Sequence, residues 1–267
     1  MIDIHAHVTA DLDAQLDRAA LAGVTHTVLL STTVHPETAN TLADVREEFA
    51  RLTRLVSGQN PDQDAQAAAD AELTSALAAT ASTYAMRKVA LDWPVERMLQ
   101  VADQAANDPR TVGLGELTPP PDGGAQIDSV VRAAAETAGT RPLPVLTHGI
   151  APNTLEDLRA YAAVAARYPS VPVVIGAFGG LNSMVAVELA ATRANVYLDL
   201  SSVLQVFVLA AALREVPEKC LFGSNTPYGD VLAARTTVEA ATADPAVRQL
   251  ALHDNAFRLL DITPASP

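Results

Sequence analysis

The stretch MIDIHAH, residues 1–7, decides how the rest of the chain is interpreted. Its apolar alternation predicts a β-strand over residues 2–7, and successive side chains of a strand point to opposite faces. On that pattern Asp3, His5 and His7 share one face, and the residues between them share the other. Two imidazoles and a carboxylate on one face can converge on a small cation; the alternative is a pair of unrelated polar residues at a frayed N-terminus.

Seven further apolar runs follow and alternate with longer Ala- and Leu-rich amphipathic stretches. The runs predict strands over residues 25–31, 87–92, 111–117, 143–148, 171–177, 195–201 and 219–225. The amphipathic stretches predict helices over residues 11–22, 94–107, 124–138, 154–168, 181–193, 202–216, 231–242 and 246–260. Eight strands with helices between them, in 267 residues, predict an α/β fold of the (β/α)8 TIM-barrel type. The alternative is a doubly wound open sheet, but it lacks the Gly-rich turn expected after its first strand.

One connection departs from this regular alternation. Residues 34–86 contain two helical patterns separated by a turn at 57–62, which predicts a helical insertion between strands 2 and 3. No linker and no internal repeat divides the chain, so residues 1–267 are predicted to form one barrel domain. The apolar stripes of the insertion could also pair two copies, which leaves a homo-oligomer open.

The composition narrows the class of protein. Hydrophobic residues make up 49% of the chain and charged residues 18%, which predicts a large buried core. A formal net charge of −13 disfavours nucleic acid and anionic membranes, so the expected partner is a small-molecule substrate. Cys220, the only cysteine, excludes an internal disulfide and a cysteine zinc cluster. The early first strand leaves no room for a signal peptide, and no apolar run suits a membrane helix, so a cytoplasmic protein is expected.

In a (β/α)8 barrel the chemistry lies at the carboxyl ends of the strands. The polar residues predicted there are His5, His7, His35, Asp92, Glu116, His148, Asp199 and Asn225. Imidazole and carboxylate groups suit Zn²⁺, so one divalent ion, expected to be Zn²⁺, is predicted at a set of four ligands: His5, His7, Glu116 and His148. His26 lies at the opposite end of strand 2 and His253 in the last helix, which predicts structural roles for both.

Six short blocks, in this order, resemble the amidohydrolase superfamily of metal-dependent TIM-barrel hydrolases. They are IDIHAH (2–7), GLGEL (113–117), PVLTHG (144–149), VPVVIGAFGG (171–180), NVYLDLS (195–201) and LFGSNTPYGD (221–230). The resemblance covers nearly the whole chain apart from the insertion. It implies that the strand 1 histidines bind a metal, that a strand 4 glutamate or carboxylated lysine joins them, and that histidines ending strands 5 and 6 complete the site. It also implies a strand 8 aspartate that takes a proton from the attacking water.

Two positions depart from the family pattern. The strand 6 histidine aligns with Ala177, and the strand 8 aspartate aligns with Asn225. A carboxamide cannot act as a base near neutral pH, so hydrolysis in the ordinary family form is placed in doubt. Lys88 and Lys219 are the only lysines, and both are predicted at strand beginnings, which excludes a carboxylated lysine bridge.

Two functions remain open from the sequence. The first is a metal-dependent amidohydrolase-like enzyme acting on a small carbonyl-containing substrate. Its reaction is amide, ester or lactone hydrolysis, or a nonhydrolytic lyase, decarboxylase or cyclisation reaction that needs polarisation more than an activated water. The predicted catalytic residues are His148, Asn225 and Asp199, with Asp92 and His35 as further candidates for proton transfer. The alternative, suggested by the two departures, is an inactive barrel that binds a ligand or a protein partner.

Overall fold

A computed structural model describes residues 1–59, 62–137 and 143–262 of the chain. Within these residues, eight parallel strands lie side by side in chain order. They are β1 (Ile2–His7), β2 (His26–Leu30), β3 (Thr83–Arg87), β4 (Thr111–Leu117), β5 (Val145–Thr147), β6 (Val173–Ile175), β7 (Val196–Asp199) and β8 (Cys220–Leu221). Backbone hydrogen bonds from Ile4 N to Phe222 O (2.9 Å) and from Asn225 N to His5 O (2.7 Å) join the two ends of the sheet. The predicted (β/α)8 barrel is confirmed, and the open sheet is excluded.

Helices connect the strands and cover the outside of the ring. They are α1 (Leu12–Leu21), α2 (Leu42–Val56), α3 (Gln63–Ala79), α4 (Val95–Asn107), α5 (Asp128–Thr137), α6 (Leu155–Arg167), α7 (Ser183–Thr192), α8 (Val206–Glu215), α9 (Val231–Ala241), α10 (Pro245–Gln249) and α11 (Asn255–Leu260). The helix predicted over 246–260 is interrupted by a π-helical turn at Leu250–Asp254. In the described part of the chain, no helix is both long enough and apolar enough to span a bilayer.

The helical insertion between β2 and β3 is present as predicted. A 3-10 turn at Pro36–Thr38 is followed by α2 and α3. A capping box starts α2, because Thr41 and Asp44 each bond the other's backbone N–H. The turn predicted at 57–62 falls partly outside the described residues, which stop at 59 and resume at 62. The insertion therefore adds a helical hairpin on the side of the barrel where β2 ends.

Apolar side chains fill the ring and the layer around it. One buried cluster occupies the interior and continues into α11: Ile2, Ile4, Val28, Leu30, Tyr84, Met86, Val112, Leu146, Val174, Leu221, Ala256, Leu260 and Ile262. A larger cluster lies between the strands and the helices, and alanines supply many of its helical contacts. Small alanine side chains let the helices lie close against the sheet, which keeps the strand ends fixed relative to one another.

β1 contains an irregularity that the alternating pattern did not predict. Between Asp3 and Ala6, three residue steps on β1 face two on β2, which is a β-bulge. Ile4 packs in the ring interior, and the next residue, His5, also points toward the strands across the ring, where it approaches β4. Ala6 then packs outside, against Leu29. The expectation that Asp3 shares a face with both histidines is therefore wrong, because the bulge separates them.

Strand 3 begins and ends earlier in the chain than predicted. The sequence indicated residues 87–92, whereas β3 spans Thr83–Arg87. Tyr84 and Met86 fill the ring interior, and Ala85 packs outside in the cluster that includes side chains of α3. The run TYAMRKVAL contains no glycine or proline to mark where the strand stops, so the pattern alone could not place its end.

This shift moves two chemically important residues. Lys88 follows the carboxyl end of β3, not its beginning, so the sequence argument that removed this lysine from the site is wrong. Asp92, predicted at the end of the strand, lies in an exposed turn before α4. Lys219 does precede β8 at the amino end of the barrel, as predicted.

Candidate metal centre

Two imidazoles and one carboxylate converge at the carboxyl end of the ring. His5 Nε2 lies 3.8 Å and His7 Nε2 lies 4.0 Å from Glu116 Oε2. Among the described residues, these three form the one group whose candidate ligand atoms all lie within 4.8 Å of one another. His5 Nε2 is buried, and the described residues provide it with no hydrogen-bond partner. An unpartnered ring nitrogen beside a carboxylate oxygen fits a divalent cation that takes nitrogen and oxygen ligands.

The ring of His5 is held in place by Asp199 at the end of β7. Asp199 Oδ2 lies 2.7 Å from His5 Nδ1 and also accepts hydrogen bonds from Ala177 N (2.9 Å) and Ser201 Oγ (2.6 Å). An ionised carboxylate can only accept, so Nδ1 carries a proton, and Nε2 is the ring nitrogen that would bind a metal once its own proton is lost. Burial alone would lower the pKa of His5, but the charge and hydrogen bond of Asp199 raise it to about 9.

The two histidines differ in their electrostatic surroundings. Burial, followed by the charge of the neighbouring His5, lowers the pKa of His7 to about 4. The rings of His5 and His7 lie 5.3 Å apart between centroids, and Tyr228 packs edge-on against His7 at 5.2 Å. The low pKa keeps His7 neutral, which is the form of imidazole that binds a metal.

Glu116 presents its two oxygens to different partners. Oε2 faces the β1 histidines, whereas Oε1 lies 2.9 Å from His148 Nδ1. The other ring nitrogen of His148 lies 3.3 Å from Ala151 O. Burial alone would raise the pKa of Glu116, but His148, followed by His5 and His7, lowers it to about 2. The structure thus brings His148 to the site as a hydrogen-bond partner of Glu116, and its role as a fourth ligand stays a prediction.

Two glycines allow these side chains to approach one another. Gly115 precedes Glu116 and has φ +128°, and a Cβ there would collide with the carbonyl oxygen of Leu146 on β5. A Cβ at Gly223 would collide with Asp199 Oδ1 and lie 3.0 Å from His5 Cβ. Any larger residue at either position would push β4 or β8 away from its neighbour.

Positions 177 and 225 complete the site without adding a charge. Ala177 lines the cavity above the cluster and offers its backbone N–H to Asp199. Asn225 also lines the cavity, and its Nδ2 donates to Ser202 Oγ at 3.1 Å. Both residues have positive φ, 47° and 56°. Neither side chain can titrate near neutral pH, so neither can supply the base of a hydrolytic mechanism.

A cavity of about 560 Å³ opens above the cluster. Four side chains of α2 form an apolar wall, and two residues after β5 extend it: Phe49, Leu52, Leu55, Val56, Ile150 and Pro152. His7, Glu116 and His148 lie on the polar side. The volume and the mixed lining suit a small organic molecule with one apolar face.

Other predicted residues lie away from this cavity. His35 pairs with two glutamates of the insertion, at 3.2 and 3.6 Å. Within the described part of the chain, neither His35 nor the exposed Asp92 is among the residues that line the cavity. The proton-transfer roles considered for these two residues therefore gain no support from their positions. His26 begins β2 and packs on Tyr84, and His253 stacks on an aromatic ring of α11.

Sequence reasoning missed several residues of the cavity, among them Lys88 and Tyr228. Lys88 was assigned to the wrong end of its strand, because no breaker marks where β3 ends. Tyr228 lies in the LFGSNTPYGD block, but no pattern singled it out. Its hydroxyl lies 3.4 Å from both Thr32 Oγ1 and Val34 O, so it connects the β8 loop to the β2 loop over His7.

Several solved structures have the same fold. A 2,6-dihydroxybenzoate decarboxylase from Rhizobium matches with a TM-score of 0.64 and 14% identity, over 98% of each chain. A dihydroxybenzoic acid decarboxylase from Polaromonas sp. JS666, with bound manganese and the inhibitor 2-nitroresorcinol, matches with a TM-score of 0.65 and 11% identity, over 99% of this chain and 97% of that one. A 5-carboxyvanillate decarboxylase from Sphingomonas paucimobilis matches with a TM-score of 0.61 and 16% identity, over 94% and 83%.

At these identities the structural likeness shows a shared fold. No curated protein sequence is similar enough to this chain to count as a match. The sequence profile of the family described as Amidohydrolase, however, matches residues 2–262 and so includes all eight strands and the candidate metal ligands. This chain therefore belongs to the amidohydrolase family, which confirms the family that its six sequence blocks predicted and the expectation of an enzyme.

Proposed function

We propose that this protein is a metal-dependent decarboxylase of a small aromatic carboxylic acid. One observation carries the proposal: a three-ligand cluster, His5, His7 and Glu116, lies beside a neutral Asn225 where the family pattern has an aspartate. Hydrolysis needs a base to activate water, whereas the loss of CO2 does not. The decarboxylases that share this fold support the same choice.

The residues of this chain divide the work of such a reaction. A divalent ion bound at the cluster would polarise an oxygen of the substrate. The apolar wall formed by α2 would hold the aromatic ring, and the carboxamide of Asn225 would bind a polar substituent. Asp199 is buried behind His5 and is not among the described residues that line the cavity. It therefore acts as a positioning residue for His5 and not as the predicted proton carrier.

His148 is assigned the proton transfer. The carbon–carbon bond to the carboxylate breaks, CO2 leaves, the electron pair stays on the ring carbon, and one proton replaces the lost group. Nδ1 of His148 faces Glu116 at 2.9 Å, so Nε2, which lies 3.3 Å from Ala151 O, is the nitrogen that would deliver the proton to the substrate. This role keeps His148 among the catalytic residues predicted from the sequence.

The test is CO2 release from hydroxybenzoates by protein loaded with Mn²⁺ or with Zn²⁺. We expect turnover of at least one dihydroxybenzoate. In His148→Gln the rate should fall by about 100-fold or more, because a positioned acid contributes on that order. His148→Gln should retain its metal, whereas His5→Ala should lose both metal and activity. Stoichiometric metal together with ester or amide hydrolysis, and no CO2, would contradict the proposal.

A catalytically inactive barrel that binds a ligand is the second candidate. The observation in its favour is that Ala177 and Asn225 both line the cavity without a titratable group. It predicts ligand binding without turnover of any hydroxybenzoate. If the double variant Ala177→His, Asn225→Asp hydrolyses esters and the wild type does not, the fold supports catalysis and these two residues prevent hydrolysis in the wild type.

Two narrower expectations belong with this proposal. The ligand types favour Zn²⁺, while two decarboxylases of the same fold contain manganese, so metal analysis of protein purified without added ions is the deciding measurement. We also propose that the protein works in the cytoplasm, because its single cysteine, Cys220, is buried and unpaired and gains nothing from an oxidising compartment.

A further inference from the structure

Lys88 places an ammonium group on the wall of the cavity. It follows β3 and lines the cavity together with Glu116 and His148. Among the described residues lining this cavity, it is the one lysine or arginine. Its side chain is partly buried, and the described part of the chain gives its Nζ no hydrogen bond and no ion pair. The charges that act on it from a distance are those of Asp70 and Glu116.

This ammonium group is incompletely compensated. Burial lowers the pKa of Lys88, and the charges of Asp70 and Glu116 oppose that shift without cancelling it. Glu116 is already engaged by His148 and faces the β1 histidines. A partly buried cation without a partner costs free energy, and an anion bound beside it would recover that cost.

Hydroxyl groups flank Lys88 on both sides. Ser31 follows β2 and Thr118 follows β4, the two strands that neighbour β3 in the ring, and both residues line the same cavity. Ser31 Oγ is buried and has no hydrogen-bond partner within the described residues. Two hydroxyls and an ammonium group on three adjacent strands are suited to the oxygens of one carboxylate.

The chemistry of decarboxylation decides which carboxylate belongs there. The reacting carboxylate loses its negative charge as CO2 leaves, so a cation beside it would stabilise the substrate more than the transition state. A carboxylate that does not react keeps its charge throughout and can be held by a cation without slowing the reaction. A fixed lysine therefore suits a second anionic group on the substrate.

We propose that Lys88, with Ser31 and Thr118, binds a second, non-reacting carboxylate, so that the preferred substrates are aromatic dicarboxylic acids. The inference rests on the proposed decarboxylation for its choice of substrate, but the binding preference itself is measurable without turnover. It assigns Lys88 to substrate specificity and leaves the reacting centre to the metal cluster and His148.

Calorimetry with benzoate and with benzene-1,3-dicarboxylate tests this assignment on metal-loaded protein. Wild type should bind the dianion about 10- to 100-fold more tightly than the monoanion, as expected for a charge-assisted contact. Lys88→Met should abolish that preference while leaving benzoate affinity within about twofold. Lys219→Met is the matched control, because Lys219 is the only other lysine and lies at the opposite end of the barrel.

The outcomes separate this inference from the proposed function. Equal affinity of wild type for the two acids, or an unchanged preference in Lys88→Met, overturns the role of Lys88 even if CO2 is released from monocarboxylic acids. A preference that depends on Lys88, with no CO2 from any acid, keeps the subsite and removes the decarboxylation. Should Lys88→Met fail to fold, Lys88→Arg must retain the preference, and added salt must reduce it in wild type.

Discussion

At the scale of single residues, the centre depends on a carboxylate that lies behind the cavity. Asp199 is 0% exposed and accepts hydrogen bonds from His5, from Ser201 and from the backbone of Ala177. These bonds fix the tautomer and the orientation of His5, so the ligand atom points at Glu116 before any ion arrives. Preorganisation of this kind lowers the cost of binding a metal.

Replacing Asp199 by asparagine should weaken metal binding about 10- to 100-fold. The carboxamide has one acceptor oxygen for three donors, and its own N–H₂ would face one of them. Competition against a chromophoric chelator measures the effect. Ser201→Ala removes one donor but keeps the charge, so its affinity should fall less than about fivefold; an equal loss in both variants would contradict the assigned role.

Asp3 should make the stability of the metal-free protein depend on pH. Its Oδ1 accepts hydrogen bonds from His5 N (3.2 Å) and Ser224 N (3.0 Å), yet burial raises the pKa of Asp3 from 3.8 to about 6. Because the folded state holds this proton more tightly than the unfolded state, the stability it contributes is present below about pH 4 and is lost as pH rises through about 6.

Asp3→Asn removes that titration. The free energy of unfolding of the variant, relative to wild type, should therefore rise between about pH 4 and about pH 7, by at most about 3 kcal/mol. Urea unfolding in the presence of a chelator measures the difference at each pH. A difference that stays constant with pH would show that Asp3 does not titrate in this range.

At the scale of elements, the sequence located some strands better than others. β4 spans residues 111–117 as predicted, because turn residues flank TVGLGEL on both sides. β3 was displaced because no breaker separates TYAMR from KVAL, and Lys88 was lost from the predicted site with it. The bulge in β1 was not predictable from alternation, since the register of a strand is set by its partner.

The sequence predicted which residues lie at the site wherever they follow from their position at the carboxyl end of a strand. His5, His7, Glu116 and His148 were placed together because strand ends of a barrel share one rim. The contact between Asp199 and His5 was not foreseen, because it depends on the side chains' depth within the ring. The engagement of His148 with Glu116, in place of a direct position beside the β1 histidines, is likewise a matter of rotamers that a sequence does not reveal.

The close approach of β4 and β5 makes Gly115 a sensitive position. Gly115→Ala would bring a Cβ into the carbonyl oxygen of Leu146 at a φ of +128°, and we expect a loss of at least about 3 kcal/mol in the free energy of unfolding. Gly23→Ala is the matched control: its φ is +80°, but the nearest atom is Arg235 Nη1 at 3.4 Å, so only about 1–2 kcal/mol should be lost. Equal losses in urea unfolding would contradict the role of the β5 contact.

At the scale of the whole molecule, the candidate metal ligands come from strands that are distant in the chain. His5 and His7 come from β1, Glu116 comes from β4, and the carboxylate behind His5 comes from β7. An ion bound by these residues therefore cross-links the ring across its interior. Since the unfolded chain offers no such arrangement, binding stabilises the folded state by mass action.

Removing the metal should lower the melting temperature. At a free ion concentration about 100 times the dissociation constant, binding contributes about 2.7 kcal/mol, which corresponds to a shift of about 5–10 °C for a protein of this size. Scanning calorimetry with and without EDTA measures it. His7→Ala should melt at the same temperature in both conditions; a chelator effect that persists in this variant would place the ion elsewhere.

The pairing of β1 with β8 sets the order in which the site can form during synthesis of the chain. Synthesis proceeds from the amino terminus, so β1 leaves the ribosome long before β8, which closes the ring beside it. Asp199 is synthesised 194 residues after His5. In a nascent chain, the ring of His5 cannot be held by Asp199 until β7 has emerged. An ion that needs His5 held in this orientation is therefore expected to bind only after β7 has been synthesised.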